Sequence, residues 1–170
     1  MSDAASPFDD PKFVAGLRPI PAGRVDVPLP WPAADLCGTA PDGQDRVVEL
    51  DPAGPMLLIF FLSLDCAGCE TFWSGLSPES AGLAGLRRRG RVDVAVSVRS
   101  FGPGQAAELL RRAEALGPVP VVVGPKPWED YRVTGYPSVV LVDPSDRSIR
   151  GEVVAFGWND VEELLDPTDS

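Results

Sequence analysis

Apolar residues run unbroken from Leu57 to Leu62. The run is too short for an ordinary helix and lacks the alternation of a half-exposed strand, so it predicts a strand covered on both faces, as inside a largely parallel sheet. The chain then passes through Ser63, Leu64 and Asp65 to Cys66-Ala67-Gly68-Cys69, and continues with Glu70, Thr71, Phe72 and Trp73 at helical spacing. Upstream, Val25, Val27, Leu29, Trp31 and Leu36 sit among Pro28, Pro30 and Pro32. That mixture predicts an extended arm and, at most, an edge strand, because proline donates nothing to a ladder. Pro41-Asp42-Gly43-Gln44 is a turn, Arg46 to Leu50 a short strand, and Asp51 to Pro55 a break before the apolar run.

Downstream, Ser77-Pro78 kinks or ends the motif helix, and a helical pattern resumes from Ala81 to Arg89. The arginines Arg87, Arg88 and Arg89 read as an ordinary solvated helix end, followed by Gly90 as a stop. Val92 to Val98 is a β-branched strand. Gln105 to Leu116 is an amphipathic helix with Leu109, Leu110, Ala113 and Leu116 expected on one face. Val119 to Val123 predicts a strand and Pro127 to Tyr131 a helical turn. Val139 to Asp143 and Gly151 to Phe156 predict a closing hairpin, and Asn159 with Glu162 a capping box for a helix through Leu165. The order β–α–β–α–β, then β–β–α, predicts an α/β fold with helices on both faces of a central sheet.

Composition narrows the chemistry. The chain has 170 residues, 44% of them hydrophobic, enough for one domain with a real core. A net charge of −10 argues against a nucleic-acid partner, since neutralising phosphates needs a positive surface. There is no histidine, which excludes Ser-His and Cys-His nucleophile pairs and His-ligated zinc. Met1 is followed by an acidic stretch, Ser2 to Asp10, where a signal peptide would need a basic start and an apolar core. With no run near ~20 apolar residues, the expectation is a cytoplasmic protein without a membrane partner. Residues 1–24 read as a flexible tail, 25–44 as the proline-rich arm, 45–165 as the folded domain and 166–170 as a second tail.

Two of the three cysteines stand at i and i+3 at the start of a helix, directly after a buried strand. There the helix amides and dipole favour the thiolate of the first sulfur, and the second lies one turn along, within disulfide reach. In a cytosolic chain such a pair is more often catalytic than structural. Cys66 and Cys69 are therefore the candidate dithiol–disulfide redox centre. Cys37, alone in the arm, is expected to be a small buried hydrophobe, with a regulatory or intermolecular disulfide as the alternative.

Strand, Cys66-Ala67-Gly68-Cys69 and helix, then Val133-x-Gly135-x-Pro137-Ser138 before a strand, then a hairpin and closing helix resemble the thioredoxin superfamily, and within it the TlpA-like and MauD-like thiol–disulfide oxidoreductases. The resemblance covers roughly residues 45 to 165. It implies a thioredoxin-like fold with a central mixed sheet. It also implies that Cys66 is the attacking thiolate and Cys69 the resolving thiol. Tyr136-Pro137 would be a cis-proline loop that lies against the sulfurs and pairs with the substrate backbone. No cofactor and no metal are implied. The implied partners are a disulfide-bearing protein or small-thiol substrate and an upstream thiol reductant.

Departures from that pattern are specific. Asp65 stands where thioredoxins proper have tryptophan, and Ala67-Gly68 where they have Gly-Pro. Phe60 occupies the place of the buried aspartate that accepts a proton, leaving Asp65 and Glu70 as the nearest carboxylates in sequence. Two other functions are compatible with the motif. A peroxiredoxin-like peroxidase is one, since Ser63-x-x-Cys66 echoes that family's Thr-x-x-Cys, although Ile59 replaces its proline. A non-catalytic thioredoxin-like interaction or metal-binding module is the other, although two thiolates without histidine make a poor closed metal site.

Overall fold

A computed structural model of the chain describes residues 29–166. The expected tail over 1–24, the start of the arm and residues 167–170 lie outside the described residues. Seven strands form one sheet: β1 (Leu36–Thr39), β2 (Asp45–Val48), β3 (Met56–Leu62), β4 (Val92–Val98), β5 (Val121–Val123), β6 (Ser138–Asp143) and β7 (Ser148–Val154). The helices are α1 (Glu70–Gly75), α2 (Ala81–Arg89), α3 (Ala106–Ala115), α4 (Lys126–Asp130) and α5 (Trp158–Leu165), with a single tight turn at Ala67–Cys69 ahead of α1.

The strand order is β2-β1-β5-β4-β3-β6-β7. β3 lies at the interior, parallel to β4 from Met56↔Val92 to Leu62↔Val98 and antiparallel to β6 from Leu57↔Val142 to Phe61↔Ser138. Flanked on both edges and covered on both faces, its residues Leu57 to Leu62 are at most 6% exposed. This is the environment its unbroken apolar run requires. Successive side chains alternate between two cores. Leu58, Phe60 and Leu62 join Phe72, Leu83, Leu109 and Leu164, so α1, α2, α3 and α5 share one face. Leu57, Ile59 and Phe61 join Leu36, Trp128, Tyr131 and Val133 on the other. The second face is covered by α4 and by the chain from Leu29 to Leu36.

The arm is more deeply integrated than an edge strand. β1 pairs with β2 along its whole length and meets β5 at Thr39↔Val123, so β2 forms the edge instead. Gly38 makes this possible, because a Cβ there would fall on the Val123 carbonyl oxygen. The Tyr131 hydroxyl donates to the Ala34 carbonyl at 2.5 Å and accepts from the Ala34 N–H at 3.2 Å. Asp35 accepts from the Leu50 N–H at 2.9 Å. Backbone N–H groups of Leu29 and Ala33 bond to carbonyls of Ile149 and Arg147.

The motif helix ends where Ser77-Pro78 predicted. Ser80 caps α2, accepting from the Leu83 N–H and donating to the Ser77 and Gly75 carbonyls. The Trp158 indole packs over Gly75 and Gly82, against Phe60 and Phe72 with ring centroids 5.9 and 5.1 Å away. Three local expectations need correction. Leu110 is 38% exposed, because the buried stripe runs through Leu109 and Leu116 and position 110 is turned a third of a revolution away. Asn159 is not the cap of α5; Gly157 holds that place, and Asp160 accepts from the Phe156 and Gly157 N–H groups at 2.7 and 3.2 Å. The last strand begins at Ser148, three residues earlier than its β-branched pattern suggests, because pairing with Asp143 sets its start.

Candidate active site

Where β3 ends, Ser63 to Asp65 turn the chain so that Cys66 stands at the mouth of the tight turn leading into α1. Cys66 is extended (φ −106°, ψ 115°) and half-buried, and its Sγ accepts from the Cys69 N–H at 3.1 Å. Cys69 is fully buried in the core beside Phe60 and Phe72. All three cysteines are free thiols. Burial, followed by its hydrogen bond with Cys66, pushes the Cys69 thiol from the ordinary 9.0 up to about 12; a backbone bond from Ser63 opposes this, and the negative charges of Cys66 and Glu70 add to it. The pair is thus asymmetric, with one reachable sulfur and one held protonated behind it.

Phe60 belongs to the same core cluster as Cys69, 5.6 Å from Phe72 by ring centroids, and brings no carboxylate there. The two carboxylates flanking the motif are both engaged by α3 and the residue before it. Gln105 donates to Asp65 at 2.6 Å, and Arg112 pairs with Glu70 at 2.5 Å and with Glu108 at 2.6 Å. The Arg112 guanidinium also stands 5.5 Å from the Trp73 ring centroid, and the Trp73 indole N–H donates to the Ser63 carbonyl at 3.1 Å. Sequence reading missed Gln105 and Arg112. Their one visible signal is spacing, because positions 105, 109, 112 and 116 share the inward face of the helix.

The Tyr136–Pro137 peptide bond is cis. A Cβ placed on Gly68 would lie 3.6 Å from the Pro137 ring and 3.9 Å from the Cys66 Sγ, so proline and sulfur flank the same exposed glycine. The Pro137 carbonyl accepts from Ala155 N–H at 3.0 Å, and Ser138 Oγ donates to the Gly135 carbonyl at 2.8 Å. Cys66, Cys69 and Pro137 are therefore brought together, from positions far apart in the chain. Tyr136 is 52% exposed, its ring edge-on to Trp128 at 6.1 Å. Cys37 sits on β1, with β5 and β4 between it and β3, so it joins no site with the pair.

A cavity of about 360 Å³ opens at the other end of the strands, lined by Leu50, Leu57, Val92 and Val119, and includes neither cysteine. Among the described residues no group of three or more acidic or cysteine side chains is arranged to hold a metal. No helix there is long and apolar enough to cross a membrane.

No family model and no curated protein matches the sequence. Solved structures do match the fold. A thioredoxin-family thiol:disulfide interchange protein from Chlorobium tepidum is similar at TM-score 0.60 and 17% identity, over 83% of this chain and 97% of that one. The thioredoxin domain of a thiol-disulfide oxidoreductase from Bacteroides vulgatus is similar at TM-score 0.56 and 17% identity, over 79% and 96%. The exposed lipoprotein thioredoxin of Streptococcus pneumoniae is similar at TM-score 0.57 and 19% identity, over 78% and 98%. With its mixed seven-stranded sheet and a cysteine pair at the head of the helix after β3, this chain has the thioredoxin-like fold.

Proposed function

We propose that the protein is a thiol–disulfide oxidoreductase of the TlpA/MauD-like kind that reduces protein or small-molecule disulfides through Cys66 and Cys69. The observation that carries this is the convergence of a half-buried Cys66, a buried Cys69 and Pro137 around the exposed Gly68. The Cys66 thiolate attacks one sulfur of a substrate disulfide; a Cys66–substrate disulfide forms and the other substrate sulfur leaves as a thiolate, which takes a proton. Cys69 then gives up its proton to solvent or to the departing thiolate and attacks the Cys66 sulfur. The mixed disulfide breaks, a second substrate thiol is released and a Cys66–Cys69 disulfide remains. Two electrons have passed to the substrate, and a dithiol reductant must return them. In this reading the Tyr136-Pro137 loop holds the substrate backbone beside Cys66.

The test sets insulin reduction beside peroxide consumption, with dithiothreitol as donor. Insulin reduction that disappears in Cys66→Ser supports the proposal. Peroxide consumption without insulin reduction would replace it with a peroxidase, and neither activity would leave an interaction module. A reducing role in the cytoplasm is part of the proposal; the absence of a histidine between the cysteines motivates the direction of electron flow, and a cytosolic thiol pool keeps such pairs reduced. The setting is not borrowed from the neighbours, one of which is an exposed lipoprotein. Cell fractionation and redox equilibration against glutathione check it: an exported protein, or a pair half-oxidised near the potential of disulfide isomerases, would overturn it.

A further inference from the structure

Arg112 does nothing in the exchange chemistry as written, yet its side chain is only 15% exposed and ties α3 to the motif helix. Its guanidinium engages Glu70, the residue directly after Cys69, and lies against the Trp73 ring. The Glu70 charge is one of the influences that hold the Cys69 thiol protonated. Glu108, a turn earlier on α3, receives the other side of the guanidinium and fixes its direction. Resting on the oxidoreductase reading, we propose that Arg112 is a positioning residue for the resolving step: it holds and offsets the Glu70 carboxylate, so that Cys69 can become a thiolate once Cys66 is in mixed disulfide.

The physical logic is one of charge beside a buried sulfur. Phe60 supplies no proton acceptor, so resolution depends on how readily Cys69 ionises unaided. An unpaired carboxylate one residue away disfavours that ionisation, and a cation held on the carboxylate favours it. The Arg112 side chain and the Trp73 indole also restrain the first turns of α1, through the Trp73 bond to Ser63. The charge effect and the restraint make different predictions.

Dithiodipyridine, a neutral aromatic disulfide with a coloured thiol product, separates the two steps by stopped flow. The first coloured equivalent reports attack by Cys66, and the second reports displacement by Cys69. Arg112→Gln is expected to slow the second phase about threefold at fixed pH, the size given by a solvent-screened unit charge, and to move its pH profile upward. The first phase should stay near wild type. Glu70→Gln, at a largely exposed position, is expected to speed the second phase, and Glu70→Gln with Arg112→Gln to return it to near wild type. Arg112→Lys should restore most of the rate, and added salt should shrink the differences. A second phase that slows equally in the presence and absence of Glu70, with no shift in its pH profile, would overturn the proposal and leave Arg112 a purely structural tie. A missing first phase in wild type would instead overturn the oxidoreductase reading itself.

Discussion

Gly82 and Gly85 sit one turn apart on α2, and the same substitution should act on them with opposite sign. A Cβ on Gly82 would lie 2.5 Å from Trp158 Cε2 and Cζ2, and 2.7 Å from the Gly75 carbonyl oxygen. Carbon atoms pack at about 3.5–4.0 Å, so roughly 1 Å has to be opened. The indole cannot easily give way, since it is seated against Phe60 and Phe72. Overpacking of this kind costs about 1–3 kcal/mol, and alanine's better helix propensity returns about 1 kcal/mol. Gly82→Ala should therefore lose up to about 2 kcal/mol, lowering Tm by up to about 8 °C at ~2–4 °C per kcal/mol. On Gly85 a Cβ would meet the Glu162 Oε1 at 3.2 Å and the Arg88 Nη2 at 3.7 Å, both the far ends of flexible side chains, although Glu162 also pairs with Arg89 through Oε2 at 2.7 Å. Gly85→Ala should keep the propensity gain and be neutral or stabilising by up to about 1 kcal/mol. Calorimetric melts of both variants are the assay. Trp158→Phe combined with Gly82→Ala should cost less than the sum of the single changes, because the two sites share a contact. Gly82→Ala melting at or above wild type, or the two alanines behaving alike, would refute the wedge.

Two further outcomes follow from buried groups. Tyr131→Phe removes both hydrogen bonds to the Ala34 peptide and should cost about 1–3 kcal/mol; a lowered urea midpoint with faster proteolysis near residue 34 is expected, and an unchanged midpoint counts against the tether. Cys69 binds its proton more tightly folded than unfolded, so its contribution to stability is whole below its ordinary value of 9.0 and is lost as pH rises toward about 12. Reduced wild type should accordingly lose stability faster than Cys69→Ala between pH 9 and 11, measured by denaturant midpoints, and parallel curves would contradict the burial argument.

Local pattern alone determined a good deal of this protein. The run Leu57 to Leu62 specified a strand buried on both faces, because it is too short for an ordinary helix and lacks the alternation of a half-exposed strand. Cys66-x-x-Cys69 at its end brought two thiols close together, because two positions three apart share a helix face. The break at Ser77-Pro78 followed from proline's missing donor. Tertiary structure decided what those rules do not reach. β1 entered the sheet beside β5 because Gly38 lets two backbones approach, and a backbone ladder can be made by nearly any sequence. Gly157 took the cap of α5 in place of Asn159, with Asp160 accepting from the Phe156 and Gly157 N–H groups, because the chain there is set by Trp158 packing on Phe60 and Phe72. Arg112 reached Glu70 from 42 positions away only because α3 packs on the same face of the sheet as α1. Pro137 likewise met Gly68 only once β6 had paired with β3. Periodicity tells which side of an element is buried, while the partner across the interface depends on how the elements close on one another.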